Sequence, residues 1–137
     1  MDRRDLQELS KVRLKEARAL LDLGLYDGAY YLAGYAVECA LKACIAKDTR
    51  RHQFPDKKKV DLSYSHVLLQ LIKVAGLEDQ HSERVNGDPE FEANWDIVNF
   101  WSEQSRYHRH NQEAARDLVR AVSDRRHGVI TWIKVHW

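Results

Sequence analysis

The hydrophobic pattern of the chain is clearest between Asp27 and Lys47, its most apolar stretch. Apolar side chains recur there at steps of three and four residues: Ala29, Leu32, Ala33, Ala36, Val37, Ala40, Leu41, Cys44 and Ile45. This period predicts a helix with an alanine-rich face that neighbouring helices can approach closely. A second stripe beside it consists of Tyr31, Tyr35, Glu38 and Lys42. Because both faces need burial, this helix is expected at the centre of a bundle or at the seam of a dimer.

The same period predicts four further helices along the chain. Their expected ranges are 2–23, 63–75, 89 to about 105, and 111 to the end, where a glycine at 128 favours a kink. The stretch 77–88 is predicted to be a loop or a broken helix, and Tyr64 and Val67 are expected on the buried side of helix 63–75. The boundary signals are Gly24 and Gly76 as helix stops, Asp27 as an N-cap, and Asp88-Pro89 as a helix start. The prediction is an all-α, up-and-down antiparallel bundle of four to five helices, in one domain spanning residues 1–137.

Composition narrows the class of protein without naming its function. The 137 residues are 44% hydrophobic and 31% charged, with a formal net charge of +1, which excludes a disordered chain and a uniformly basic one. Cys39 and Cys44 are five residues apart on one predicted helix, so we expect them to be buried and reduced, as in the cytoplasm. The charged N-terminal stretch does not read as a signal peptide, and no apolar run reaches the length of a membrane span.

Charge is concentrated in the stretch 48–61, which lacks a helical period and is predicted to be a basic loop. It carries Arg50, Arg51, Lys57, Lys58 and Lys59. Such a loop is either a solvated connection or a surface that contacts phosphates. The sequence has no glycine-rich phosphate loop, no zinc-ligand spacing and no serine-hydrolase elbow. We therefore expect neither a metal nor a cofactor.

The segment SRYHRH, from Ser105 to His110, carries the residues best suited to chemistry. Its two arginines, tyrosine and two histidines follow an aromatic helix end and precede the last helix. An arginine pairs with phosphate through a planar fork, and a histidine near neutral pKa exchanges a proton with a ribose hydroxyl. A tyrosine can stack on a base. The alternative interpretation is an exposed basic turn whose tyrosine fills a gap in the core.

Several stretches together resemble the HEPN family. The pattern G-x-Y-x-x-A followed by A-x-E-x-x-L-K-A, between Gly24 and Ala43, is similar to the second helix of that family. The basic FPDKK at 54–58 and the following SHVLLQLIKVAGL at 65–77 are similar to its proline-bearing loop and the helix after it. The SRY at 105–107 resembles its Arg-Tyr region. The resemblance covers most of the chain through the order and spacing of these motifs.

The resemblance implies a helical bundle that dimerises, and it implies one of two functions. Many HEPN proteins are metal-independent endoribonucleases, and a large group are toxins encoded beside a minimal nucleotidyltransferase. Others are catalytically silent modules that bind a nucleotide or dock such a partner. The expected substrate is accordingly RNA or a nucleotide, and the expected partners are a second copy of the chain and a nucleotidyltransferase antitoxin.

Site residues follow from the resemblance as expectations. Arg106 would hold the phosphate, and His108 or His110 would act as acid or base. The expected substrate-binding residues are Tyr107, Arg109, Lys57 and Lys58. Nuclease members space an arginine and a histidine by four to six residues, a spacing that Arg120 and His127 meet inside the predicted last helix. The Arg106 region is preferred as the site.

Three further residues are predicted to support that site. Glu38 and Lys42 are spaced as an ion pair on one helix face, interpreted either as a surface pair, which we favour, or as support for the site. His66 falls in the predicted first turn of a helix, where the helix dipole penalises a charged ring, so we expect it to be neutral and hydrogen-bonded. The dimer seam is expected on the second or last helix, through Tyr31, Tyr35, Trp132 and Trp137.

Overall fold

The computed structural model describes residues 1–51 and 57–137, with side chains for 1–48 and 57–137. Within these residues the fold is all helical, as predicted. The α-helices are α1 (Arg3–Asp22), α2 (Tyr26–Arg51), α3 (Lys57–Ser63), α4 (Leu68–Val74), α5 (Glu78–Gly87), α6 (Pro89–Asn99), α7 (Gln112–Ser123) and α8 (Val129–Ile133), with a 3₁₀ helix at Glu103–Tyr107.

The first two helices form an antiparallel pair joined by a very short turn. The Asp2 side chain accepts a hydrogen bond from the Asp5 backbone N–H and fixes the start of α1. Gly24 adopts a φ of 78°, which only glycine reaches without strain, so the predicted stop is confirmed. The prediction that Asp27 is an N-cap is wrong, because α2 begins one residue earlier, at Tyr26.

Helix α2 is the centre of the bundle and contacts α1, α4, the 3₁₀ helix, α7 and α8. Its predicted alanine face is buried except for Leu32, which is partly buried. The buried members are Ala29, Ala33, Ala36, Val37, Ala40, Leu41, Ala43, Cys44 and Ile45. Cys39 and Cys44 are both buried and free, and burial raises the pKa of Cys39 to about 11. Trp132 is also buried in the core, so it offers no surface to a second copy and the expectation about it is wrong.

The middle of the chain departs most from the sequence prediction. The lysines at 57–59 lie in helix α3 and not in a loop, whereas the expected Phe54 and Pro55 loop lies outside the described residues. Tyr64 and Val67 are 73% and 60% exposed, so their predicted burial is wrong. They lie in the link between α3 and α4, and α4 begins only at Leu68.

Stretch 77–88, predicted to be a loop or broken helix, forms α5. Only His81 is buried in it, in edge contact with the ring of Trp95, and burial lowers the pKa of this histidine. A single buried position gives no hydrophobic period, which explains why the helix was missed. The predicted start of the next helix is confirmed, because the Asp88 side chain accepts hydrogen bonds from the backbone of Glu90 and Phe91.

The last two predicted helices are each divided. Helix α6 ends at Asn99, and the residues that follow turn into the 3₁₀ helix. The predicted final helix breaks after Ser123, and α8 begins at Val129. A Cβ at Gly128 would lie 2.4 Å from the backbone oxygen of Asp124, so only glycine fits this tight turn. None of the helices in the two described ranges combines the length and apolar character needed to cross a membrane.

Candidate functional site

A buried carboxylate on the central helix is the starting point of the candidate site. Glu38 is only 2% exposed, and its Oε2 atom lies 3.3 Å from Nζ of Lys42, one helical turn further along. Its other oxygen, Oε1, lies 2.9 Å from Nδ1 of His66. The pairing of Glu38 with Lys42 was predicted, but the favoured surface position was wrong. A buried carboxylate with two cationic or hydrogen-bonding partners is costly to place and unusual without a role.

His66 connects this carboxylate to a different part of the chain. It lies just before α4 instead of inside it, so the helix dipole argument does not apply. The predicted hydrogen bond is present, with Glu38 as the partner. The neutral state expected for the ring stays a prediction. On the other side of the ring, Nε2 lies 3.5 Å from Oε2 of Glu103. If the ring donates from Nδ1 to Glu38, Nε2 is the atom that can exchange a proton, on the side of the ring that faces Glu103.

The 3₁₀ helix brings Glu103 and Arg106 to this histidine. Oε1 of Glu103 lies 3.8 Å from Nη2 of Arg106, and the Arg106 guanidinium lies over the ring of Tyr107, 4.8 Å from its centre. The Arg106 side chain is 45% exposed, so it is accessible to a ligand. We call the set Glu38, Lys42, His66, Glu103 and Arg106 the His66–Arg106 cluster.

Aromatic packing against α2 fixes the start of the 3₁₀ helix. A Cβ at Gly34 would lie 2.2 Å from the ring of Trp101, so the indole rests directly on the helix backbone. The ring of Tyr31 lies beside the same indole, at 6.0 Å between centres. These contacts set the distance between α2, which carries Glu38, and the segment that carries Glu103.

The two histidines predicted as acid or base lie differently from His66. The ring of His110 stacks on Tyr30 at 3.8 Å, and its Nε2 lies 3.2 Å from the backbone oxygen of Ser105. Its backbone N–H donates to Oδ1 of Asp27 at 2.6 Å. These three contacts give His110 a structural role that joins α2 to the start of α7. His108 is exposed, as are the neighbouring Tyr107 and Arg109.

The predicted lysines lie on a separate element from the cluster. Lys57 and Lys58 are exposed on α3, and Lys59 forms an ion pair with Asp48. Only Tyr64 and Ser65 separate the end of α3 from His66 along the chain. Lys57 and Lys58 therefore remain a predicted contact surface for phosphates.

The alternative pair, Arg120 and His127, is not brought together in a comparable site. Arg120 is exposed on α7, and His127 lies in the turn before α8 and not inside a helix. Nδ1 of His127 lies 2.7 Å from Oδ2 of Asp88, and its Nε2 lies 3.1 Å from Oε2 of Glu90. The hydrogen bond with Asp88 raises the pKa of His127. This second histidine links the turn before α8 to the start of α6.

Glu103 is the residue of the cluster that was not predicted from the sequence. It is the residue that connects His66 with Arg106, and the only available signal was its spacing of three residues from Arg106 on a helical turn. Among the described residues, no group of three or more histidine, cysteine or acidic side chains is placed to hold a metal ion.

Comparison with known families decides the class of the protein. A family model described as the HEPN domain matches residues 4–135, nearly the whole chain. The chain belongs to the HEPN family. No curated protein and no solved structure matches it. Family membership agrees with the helical fold, and the particular activity of this HEPN protein has to be argued from its own side chains.

Proposed function

We propose that this HEPN protein is a metal-independent endoribonuclease of toxin–antitoxin type that cleaves RNA at the His66–Arg106 cluster. One observation carries the proposal: the His66 ring lies between buried Glu38, at 2.9 Å, and Glu103, at 3.5 Å, and Glu103 also pairs with Arg106. A carboxylate that orients a histidine, next to an exposed arginine, is a suitable arrangement for acid–base chemistry on a phosphate.

The reaction uses the 2′-hydroxyl of the RNA as its nucleophile. Nε2 of His66 takes the proton of that hydroxyl, and the 2′ oxygen attacks the adjacent phosphorus. The new O2′–P bond forms as the P–O5′ bond breaks, which leaves a 2′,3′-cyclic phosphate on one fragment. The departing 5′ oxygen takes a proton from solvent and becomes a 5′-hydroxyl. Arg106 neutralises the charge that builds on the phosphate oxygens.

Glu103 marks the place of the phosphate. Its two oxygens lie 3.5 Å from the His66 ring and 3.8 Å from the Arg106 guanidinium, so an anion at this point meets both groups. In the proposed complex the RNA phosphate takes the place of this carboxylate. Tyr107 and Arg109, exposed on the same segment, position the substrate, and Lys57 and Lys58 contact its backbone.

We further propose that the protein acts as a homodimer, since HEPN domains commonly dimerise. Two large apolar side chains that take no part in the proposed RNA contacts are exposed beside the cluster: Val67 at 60% and Phe100 at 88%. They flank His66 on one segment and Glu103 on the other, so a second copy packing there would enclose the site. The proposed antitoxin is a minimal nucleotidyltransferase.

The same exposed apolar side chains favour a second candidate function. A catalytically silent module that binds a nucleotide or docks a nucleotidyltransferase would use this surface without using His66 as a base. The two functions differ in whether the protein breaks RNA, because a docking module leaves RNA intact.

The test is cleavage of a labelled RNA by purified protein in the presence of EDTA. The endoribonuclease proposal expects fragments that end in a 2′,3′-cyclic phosphate and a 5′-hydroxyl, identified by mass spectrometry. It expects His66→Ala to reduce the rate at least 100-fold, since general acid–base catalysis contributes about 10²–10⁴. It also expects growth arrest when the wild-type chain is induced and no arrest with His66→Ala.

Three results would reject the proposal. The first is intact RNA with a wild-type dimer that also leaves growth unaffected, which would favour the docking module. The second is cleavage that disappears with EDTA and returns with a divalent metal. The third is full cleavage by His66→Ala. A monomer mass by light scattering at micromolar concentration would reject the homodimer alone.

A further inference from the structure

A groove of about 520 Å³ opens between α1, α2 and α3, next to the His66–Arg106 cluster. Its apolar surface comes from one face of each helix, through Leu6, Ile45, Ala46 and Val60. A volume in this range suits a small organic group that is largely apolar and flat. The residues of this surface are not part of the catalytic arrangement described above.

Polar groups are found at the edges of the groove. Lys42 lines it, and the same Nζ atom lies 3.3 Å from Glu38, so the groove and the cluster share this residue. Arg3 lines it as well. Its Nη2 donates to the backbone oxygen of Trp137 at 2.8 Å, whereas its buried Nε has no hydrogen-bond partner in the structure. Lys42 and Arg3 therefore give the groove two cationic side chains at its edge.

Tyr64 supplies an exposed aromatic ring at the mouth of the groove. It is 73% exposed although it lines the groove, and it stands two residues before His66 in the link between α3 and α4. An exposed tyrosine ring provides a face on which a nucleobase can stack. The groove therefore offers an apolar surface, a stacking ring, an arginine at its edge and a lysine that borders the cluster.

We propose that this groove binds the unpaired base next to the scissile phosphate, so that the substrate is single-stranded RNA. The inference rests on the proposed function. The base enters between α1 and α3 and stacks on Tyr64, with its edge toward the Arg3 side chain. The sugar and phosphate then pass Lys42 and reach His66 and Arg106. A base inside a duplex stays stacked and paired and does not enter the groove.

The first experiment measures binding of each of the four nucleoside 3′-monophosphates by calorimetry, with inorganic phosphate and the free nucleosides as separate probes. Tyr64→Ala removes the stacking ring, and Ala46→Trp fills the groove. Both variants should bind the best mononucleotide at least tenfold more weakly than wild type. Leu69→Ala, which removes an exposed side chain of α4 outside the groove, should bind it as wild type does. Tyr64 is exposed, so its variant remains informative if Ala46→Trp fails to fold.

The second experiment compares cleavage of one RNA sequence as a single strand and as a duplex. The inference expects the single strand to be cut at least tenfold faster. It also expects Tyr64→Ala to change which base is preferred beside the cut. Equal cleavage of strand and duplex overturns the inference. So does mononucleotide affinity that both groove variants leave unchanged, or inorganic phosphate binding as tightly as the mononucleotides.

These outcomes separate the groove from the proposed catalytic activity. If wild type cleaves RNA while both groove variants keep wild-type rate and base preference, the groove inference fails and the endoribonuclease proposal stands. If wild type leaves RNA intact but binds a mononucleotide that Tyr64→Ala and Ala46→Trp release, the catalytic proposal fails and the groove remains a base-binding site.

Discussion

Two histidines in this protein, His66 and His127, each lie between two carboxylates, and they differ in what those carboxylates do. Beside the His127 ring, Asp88 also accepts hydrogen bonds from the first backbone N–H groups of α6, and Glu90 is an exposed residue of the same helix. Asp88 therefore has a structural reason to be there, since it caps a helix end. The histidine stands in the turn before α8, where Asp124 accepts its backbone N–H, and it completes a clasp between that turn and the start of α6.

The carboxylates around His66 cap nothing. Glu38 lies in the middle of α2, buried among apolar residues, and Glu103 pairs with an exposed arginine. A histidine–carboxylate contact is therefore a stronger sign of function where the carboxylate caps no backbone. The spacing of Arg120 and His127 along the chain does not show which partners the histidine has.

The comparison is tested most strongly at Arg106. Arg106→Ala should reduce RNA cleavage at least 100-fold, the usual order for removing one group that stabilises transition-state charge. Thermal unfolding should be unchanged, because the side chain is nearly half exposed. The matched control is Arg116→Ala, which removes an exposed arginine of α7. Equal loss in both variants would mean that general positive charge, and not the cluster, supports cleavage.

The next largest effect is expected at Glu38. Glu38→Ala leaves Lys42 and His66 without their buried partner, and such a break costs about 3 kcal/mol of unfolding free energy. Urea denaturation measures the loss. The control is Glu8→Ala, which breaks the exposed pair with Lys11 and should cost below about 1 kcal/mol. A loss at Glu38 as small as at Glu8 would show that the pair behaves as a surface pair after all.

A smaller loss of stability is expected from a substitution at Gly34, where the indole of Trp101 rests on α2. Gly34→Ala places a methyl group 2.2 Å from the Trp101 ring, and overpacking of this kind costs about 1–3 kcal/mol. Because the displaced ring holds the 3₁₀ helix, RNA cleavage should fall as well. Gly87→Ala is the control, since its new methyl group meets nothing within 4 Å. Unchanged stability and cleavage in Gly34→Ala would remove Trp101 as the anchor of the site.

The smallest expected effect is a dependence of stability on pH that comes from His127. The hydrogen bond with Asp88 raises the pKa of His127 above its unfolded value of about 6.5, so the clasp stabilises the fold fully below about pH 6.5. That stabilisation is lost as the pH rises through the raised folded-state pKa. His127→Asn should therefore remove part of the fall in urea midpoint between pH 6 and pH 8. An unchanged pH profile would show that the clasp contributes no charge-dependent stability.

Much of the fold was predictable because its helices bury one periodic face. Gly24, Gly76 and Asp88 each marked a boundary that the structure confirms, through positive φ at the glycines and backbone capping at the aspartate. The errors fall where the period is weak or misleading. Helix α5 buries only His81. The predicted final helix carries an apolar stripe, interrupted only by Arg126, across a tight turn that only Gly128 fits.

The candidate site was predictable only in part. The spacing of Glu38 and Lys42 predicted their contact, since both lie on one helix. Their burial depends on His66, 28 residues further along, and on the 3₁₀ helix, and no local pattern places those segments against α2. The stacking of His110 on Tyr30 was likewise not predictable, because no local pattern brings these two distant residues together.

The unequal lengths of the elements around His66 have a consequence for motion. Glu38 stands in a helix of 26 residues, whereas Glu103 and Arg106 stand in a 3₁₀ helix of five. Amide hydrogens in the middle of α2 exchange with solvent only when the whole core opens, and those of a short peripheral turn exchange through local opening. We therefore expect the part of the cluster on α2 to stay in place while the part on the 3₁₀ helix opens locally. Glu103 can then leave its partners, and return to them, while the core stays folded.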